Sequence, residues 1–259
     1  MKKIISFILI LICLTSCLCS CQAAEKILSR LEYTEGLSAY VIEGKKCIVS
    51  MGEDMRELEV INVPMKIDGN RVVGIDEQGF VALDNLKTVI IPHGVYHIGD
   101  GAFAYCFSLE TVELPKGVTH IGSNAFLGCR ELSSIRLSEG LLRIEERTFY
   151  YCESLTEINL PSSLTYIGTN AFTCCGFTEL TIPEGVTFIG EYAFSGCESL
   201  TTVYIPEGAR VCRYVFNGCD ALERVVYGGS EEQWEAMMRD NAYGYEDKSY
   251  VNVEIIFEK

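Results

Sequence analysis

From Leu58 onward, apolar and polar positions fall into a register that returns about every 23 residues. Phenylalanines stand at Phe80, Phe103, Phe126, Phe149, Phe172, Phe194 and Phe216, at intervals of 23, 23, 23, 23, 22 and 22. From Phe103 onward a cysteine follows three residues after each: Cys106, Cys129, Cys152, Cys175, Cys197 and Cys219. Self-similarity at a fixed period of this length marks a stacked repeat. In the unit from Leu109 to Cys129, Val112 and Leu114 share one face of a short strand by side-chain alternation, and Pro115 ends it because it has no amide to donate. Val118 and Ile121 then lead into Ala125-Phe126, a small and a large apolar group directed inward. One unit buries too little to offset the entropy of ordering it, so each must lend its neighbour an apolar face.

Further units begin at Leu58, Leu86, Leu132, Leu155, Phe177 and Leu200, with a partial unit from Leu222. Both ends of such a stack need covers. Ala39 to Ile42 and Cys47 to Val49, around Glu43-Gly44-Lys45, read as a hairpin. Ser230-Glu231-Glu232-Gln233 is a capping box opening a helix through Met238, with Trp234 placed to pack on the last coil. Val251 to Phe257 alternates as a closing strand. The organisation expected is an N-terminal linker and cap over 22–57, repeats over 58–227 and a C-terminal cap over 228–259.

The recurring V-x-x-I-G-x-x-A-F-x-x-C-x-x-L-x-x-V-x-L-P, from about Leu58 to Tyr227, resembles the BspA-like class of bacterial leucine-rich repeats. The resemblance implies an α/β repeat solenoid, a right-handed superhelix with a parallel β-sheet on one face. It also implies a surface protein that adheres to host or matrix proteins or to other cells. The turn Met65 to Val72 around Gly69 is similar to the opening repeat of such proteins, and Tyr227-Gly228-Gly229-Ser230 with Trp234 to their C-terminal cap. Two units depart from the pattern: one has Ser138 for proline and Glu145 for glycine, the other loses a residue and has Val211-Cys212 for Ile-Gly. Local bending is expected at both.

The chain opens with Met1-Lys2-Lys3, an apolar stretch from Ile4 to Leu14, and Leu14-Thr15-Ser16-Cys17. This resembles a bacterial lipoprotein signal within residues 1–21, which implies cleavage before Cys17 and diacylation of its thiol. The alternatives are a conventional secretory signal cut near Ala23 or Ala24, or an uncleaved anchor over Ile4 to Cys21. All three place the body outside the cytoplasm, lipid-anchored to the envelope or secreted.

Composition narrows the chemistry. With 48% hydrophobic and 22% charged residues the chain is of the folded class, and a formal charge of −15 argues against a nucleic-acid partner and against any membrane contact except through a lipid anchor. No P-loop, nucleophile elbow or dinucleotide glycine pattern occurs, and no insertion breaks the repeat, so neither catalytic residues nor a cofactor are expected. One cysteine per coil sets sulfurs in a line rather than a tetrahedron, so no metal is expected there; buried free thiols are the main reading and disulfides between adjacent coils the alternative. His97 and His120 share one slot of the repeat, continued by Arg143, Tyr166 and Phe188, with His93 close by in sequence. They read as solvated surface residues, the alternative being a weak metal site or a pH-sensitive patch. No carboxylate falls at a predictable offset from either imidazole.

The outward face of the predicted sheet remains. Its central slot reads Asn62, Ile90, Glu113, Arg136, Asn159, Thr181, Tyr204 and Val226, and the preceding slot includes Glu157. Outward residues vary from unit to unit while inward ones repeat, the pattern of a binding face and equally of an unconstrained surface. Glu113, Arg136, Glu157, Asn159 and Tyr204 are the candidate ligand-binding residues. The function expected is that of a monomeric, non-catalytic interaction or adhesion protein with a macromolecular ligand, protein or glycan. The alternative is a structural or substrate-capture component of an envelope glycan-handling complex.

Overall fold

The computed structural model describes residues 34–42, 44–52, 55–241 and 253–258. The leader with Cys17, Glu43 of the expected hairpin turn and the beginning of the expected closing strand lie outside the described residues.

Each T-V-E-like segment is too short to hold a sheet within its own coil, and it pairs instead with the equivalent segment one coil away. Val60–Asn62, Thr88–Ile90, Thr111–Glu113, Ser134–Arg136 and Glu157–Asn159 form one parallel run. Glu179–Thr181, Thr202–Ile205 and Arg224–Tyr227 form a second, closed by Glu254–Phe257. Register follows the repeat, Val89 opposite Val112 and Ile135 opposite Ile158. A further file, not expected from the sequence, runs along another side of the coils. Asn70–Ile75, His97–Ile98 and His120–Ile121 pair in parallel, followed by Arg143–Ile144, Tyr166–Ile167, Phe188–Ile189 and Arg210–Val211. The segment that carries Ala125-Phe126 is turn in each coil, and the single α-helix among the described residues, α1 (Glu231–Asn241), belongs to the C-terminal cap.

The phenylalanines align in one interior file. From Phe80 to Phe216, successive rings stack at 5.4–5.8 Å, and all seven are buried. Beside them the six repeat thiols are free and buried, and each donates to the carbonyl of the phenylalanine one coil back, from Cys106 to Phe80 at 3.1 Å through Cys219 to Phe194 at 3.1 Å. A cysteine fills the corner as a small apolar group while its weak S–H donor gives a buried carbonyl a partner from the next coil. Burial pushes the Cys106 thiol up to about 12, and also raises Cys129, Cys152 and Cys175.

Glycine in the slot after Ile98, Ile121, Ile167 and Ile189 is set by clearance. Its φ is ordinary there, but a Cβ on Gly190 would lie 2.5 Å from the Thr169 nitrogen and one on Gly168 2.8 Å from the Glu145 carbonyl carbon. Glu145 carries a Cβ in this slot, and there the ladder fails: His120–Ile121 and Arg143–Ile144 are not paired. One expected irregularity is therefore a break between coils. At the other departure, where local bending was also expected, the ladder is kept: Phe188 and Ile189 pair with Arg210 and Val211, and the Cys212 amide still reaches the Ile189 carbonyl at 3.0 Å. A break that the sequence reading did not anticipate separates Glu157–Asn159 from Glu179–Thr181, after a Phe172–Phe177 link one residue shorter than that from Phe149 to Leu155.

Both caps close the file. Ser38–Ile42 and Lys46–Ser50 form the antiparallel hairpin, whose second strand pairs in parallel with Asn70–Ile75 through a bulge at Cys47/Ile48. At the other end the Ser230 amide donates to Gln233 Oε1 at 2.7 Å and the Gln233 amide to Ser230 Oγ at 3.3 Å, the capping box that starts α1. Trp234 is buried against Tyr227, ring centroids 5.3 Å apart.

Two outcomes are expected. Gly190→Ala should destabilise by about 1–3 kcal/mol through overpacking, whereas Gly208→Ala, whose Cβ meets nothing within 4 Å, should shift the urea midpoint little or upward. Labelling of the native protein with iodoacetamide, mapped by mass spectrometry, should reach the half-buried Cys174 and Cys212 well before the six column thiols, which should react only on unfolding.

Candidate interaction surfaces

The outward face of the long-strand file is built by alternation: when Val112, Ile135 and Ile158 point inward, their neighbours point out. The structure brings Arg136, Glu157 and Asn159 together. Arg136 sits opposite Asn159 and Ser134 opposite Glu157 in adjacent strands, and all three predicted residues are exposed. Glu113 lies one coil away and is half-buried, and burial raises its carboxyl above the usual carboxylate range. Tyr204, 37% exposed, belongs to the second run and pairs with Thr181 on one side and Val226 on the other. The break between the runs separates it from Asn159, so the candidate residues make two patches. At the N-terminal end of the same file, Asn62 and Ile90 are buried, which removes them from the accessible face.

The other exposed file carries the histidine slot. His97 and His120 stack face to face, centroids 4.7 Å apart and planes 2° from parallel. Beyond the ladder break the column resumes with the Arg143 guanidinium 3.6 Å from the Tyr166 centroid and Tyr166 stacked on Phe188 at 5.0 Å. Arg143 is also held from the side by Glu145, Nε to Oε1 at 2.8 Å. Sequence reasoning found this column but missed its carboxylates. Asp76 and Asp100 lie in the same concavity as the imidazoles, a depression of about 340 Å³ also lined by Tyr40, Ile48, Glu77 and Gly99. They come from coils adjacent in space, but from neighbouring slots of the repeat: Asp76 stands where the next coil has Gly99, and Asp100 where the coil before has Glu77. His97 is held below the usual imidazole range by its burial and by His120, against the opposing pull of Asp100 and Asp76. Among the described residues no group of three histidines, cysteines or acids is placed to hold a metal ion.

Comparison with known proteins agrees with this geometry. A family model described as BspA type leucine rich repeat region matches in 6 copies, over residues 73–201 and 119–238. Among solved structures, the Treponema pallidum leucine-rich-repeat protein is 24% identical, with 83% of this chain and 98% of that chain covered and a TM-score of 0.52. A leucine-rich repeat protein from Bacteroides ovatus is 23% identical over 88% of this chain and 78% of that one, with a TM-score of 0.42. No curated protein matches. Stacked phenylalanines, the thiol column and the matched repeats together make this chain a member of the BspA-type leucine-rich-repeat family.

Proposed function

We propose that this chain is a non-catalytic, extracytoplasmic protein that adheres to a protein ligand through the outward face of its long-strand file. The observation that carries the reading is the contiguous exposed group Arg136, Glu157 and Asn159, fixed by strand pairing to a backbone that cannot rearrange without breaking the stack. A rigid platform loses little entropy on binding, and a mixed set of charges and an amide favours a specific polar partner over unspecific adsorption. Tyr204 supplies a second contact beyond the break, of the residue type that anchors interfaces. Membership of a repeat family of bacterial surface proteins supports the location. Acylation at Cys17 tethers the solenoid to the envelope, two acyl chains on one residue being enough for stable retention.

Binding should be sought with the chain displayed against extracellular-matrix proteins and, in parallel, a glycan array. Arg136→Ala with Asn159→Ala should weaken capture of a matrix protein about tenfold without moving the thermal midpoint; unchanged capture, or binding only to glycans, removes the proposed face or the proposed ligand class. An inhibitor of lipoprotein signal peptidase should leave the full-length precursor uncleaved in cells, and normal maturation under the inhibitor overturns the Cys17 anchor.

A further inference from the structure

The ring column of the short-strand file begins with an omission. In register, Gly74 lies opposite His97, Ile48 opposite Gly74, and Tyr40 opposite Ile48. Every later coil contributes a side chain to this column: His97, His120, Arg143, Tyr166, Phe188 and Arg210. Gly74 contributes none, so His97 is stacked on His120 on one side, and the gap on the other side is narrowed by Ile48, whose Cγ1 lies 3.5 Å from where a Gly74 Cβ would stand. Planar groups pack on one another along this column, the two imidazoles at 4.7 Å and Arg143 3.6 Å from the Tyr166 centroid.

The rim of that gap is acidic and already set. Asp76 Oδ1 accepts from the Tyr40 hydroxyl at 3.0 Å and from the Glu77 amide at 2.9 Å, and Asp100 Oδ1 accepts from the Ser123 amide at 2.9 Å. These bonds hold two carboxylates by one oxygen each, and Asp76, Asp100 and Glu77 line the same depression. None of the ion pairs among the described residues involves Asp76, Glu77 or Asp100. Three carboxylates thus line one depression together with His97, and none of its lining residues is a lysine or an arginine.

We infer that this depression receives the guanidinium of an arginine side chain from a protein partner, laid against the His97 ring and paired with Asp76 and Asp100. The shape argues for a planar group, which an ammonium is not, and the carboxylates argue for a cation. The protein repeats the same solution internally, with Arg143 lying on Tyr166 and paired to Glu145. At neutral pH His97, facing Asp76, Glu77, Asp100, Tyr40 and His120, presents an uncharged ring to the incoming cation, because burial and His120 favour its neutral form. The site lies on a different file from Arg136 and Asn159, and it stands or falls separately from the proposed adhesion face.

The test uses three blocked tripeptides, acetyl-Gly-X-Gly-amide with X arginine, lysine or citrulline, titrated against the full chain while the imidazole resonances are followed by NMR. The arginine peptide should shift the His97 ring signals and bind about tenfold tighter than the lysine peptide, with citrulline near the detection limit. Asp76→Asn with Asp100→Asn should weaken it about tenfold or more, Gly74→Val should abolish it by crowding His97 and Ile48 with a slot-filling side chain, and Arg136→Ala should leave it intact. If Gly74→Val lowers the thermal midpoint, His97→Ala replaces it as the variant that removes the platform, with loss of binding expected. No binding of the arginine peptide, equal affinity for lysine, or full affinity in the slot-filling or platform-removing variant overturns the inference.

Discussion

Everything in this molecule follows from one distance, the separation of a strand from its copy in the next coil. At that spacing two backbones hydrogen-bond, two aromatic rings stack and two imidazoles lie face to face, while there is no room for an extra Cβ where the chains cross. A phenylalanine inside the solenoid is therefore required because its neighbour is a phenylalanine. Each ring is the floor for the next, and removing one leaves a void walled on two sides by its own kind. The thiols obey the same constraint from the other direction. A larger group in that corner would push the coils apart, and a group without a donor would remove the second hydrogen bond of the phenylalanine carbonyl of the coil below, which also accepts from the cysteine amide of its own coil.

The spacing also explains which parts of the fold could be read from the chain alone. The phenylalanine file, the long strands, the hairpin and the capping box at Ser230 each have a local signature, and the structure has all of them. The short strands were invisible because two residues such as His97–Ile98 cannot show an alternation. Their pairing comes from the neighbouring coil and from nothing within the segment. Glu145 was legible as a departure, and clearance turns it into a break in the ladder. Cys212 was equally legible and changes nothing, since its coil is one residue shorter and its amide still reaches Ile189.

The candidate surfaces were legible to different depths. Strand alternation was enough to put Arg136, Glu157 and Asn159 outward and side by side. It could not show that Asn62 and Ile90 of the same file are buried, nor that Tyr204 lies beyond a break, since both depend on how units of unequal length meet. The acidic slot was the least legible. Asp76 and Glu77 are unremarkable beside Ile75, and Ile48 comes from the hairpin, which has no counterpart in the repeat. Their approach around Gly74 is a property of the junction between cap and first coils.

That position is a general consequence of stacking. Inside a regular column each planar side chain has both faces covered by its neighbours, so a ligand meets only edges and binding there means prying coils apart. A free face exists only where the column starts, ends or skips a residue. Here the column is interrupted between His120 and Arg143 by the ladder break and lacks a member at Gly74. At the first of these the exposed cation Arg143 already has Glu145 and Tyr166 as partners. At the second, His97 and three carboxylates line one depression, and none of the ion pairs among the described residues involves those carboxylates.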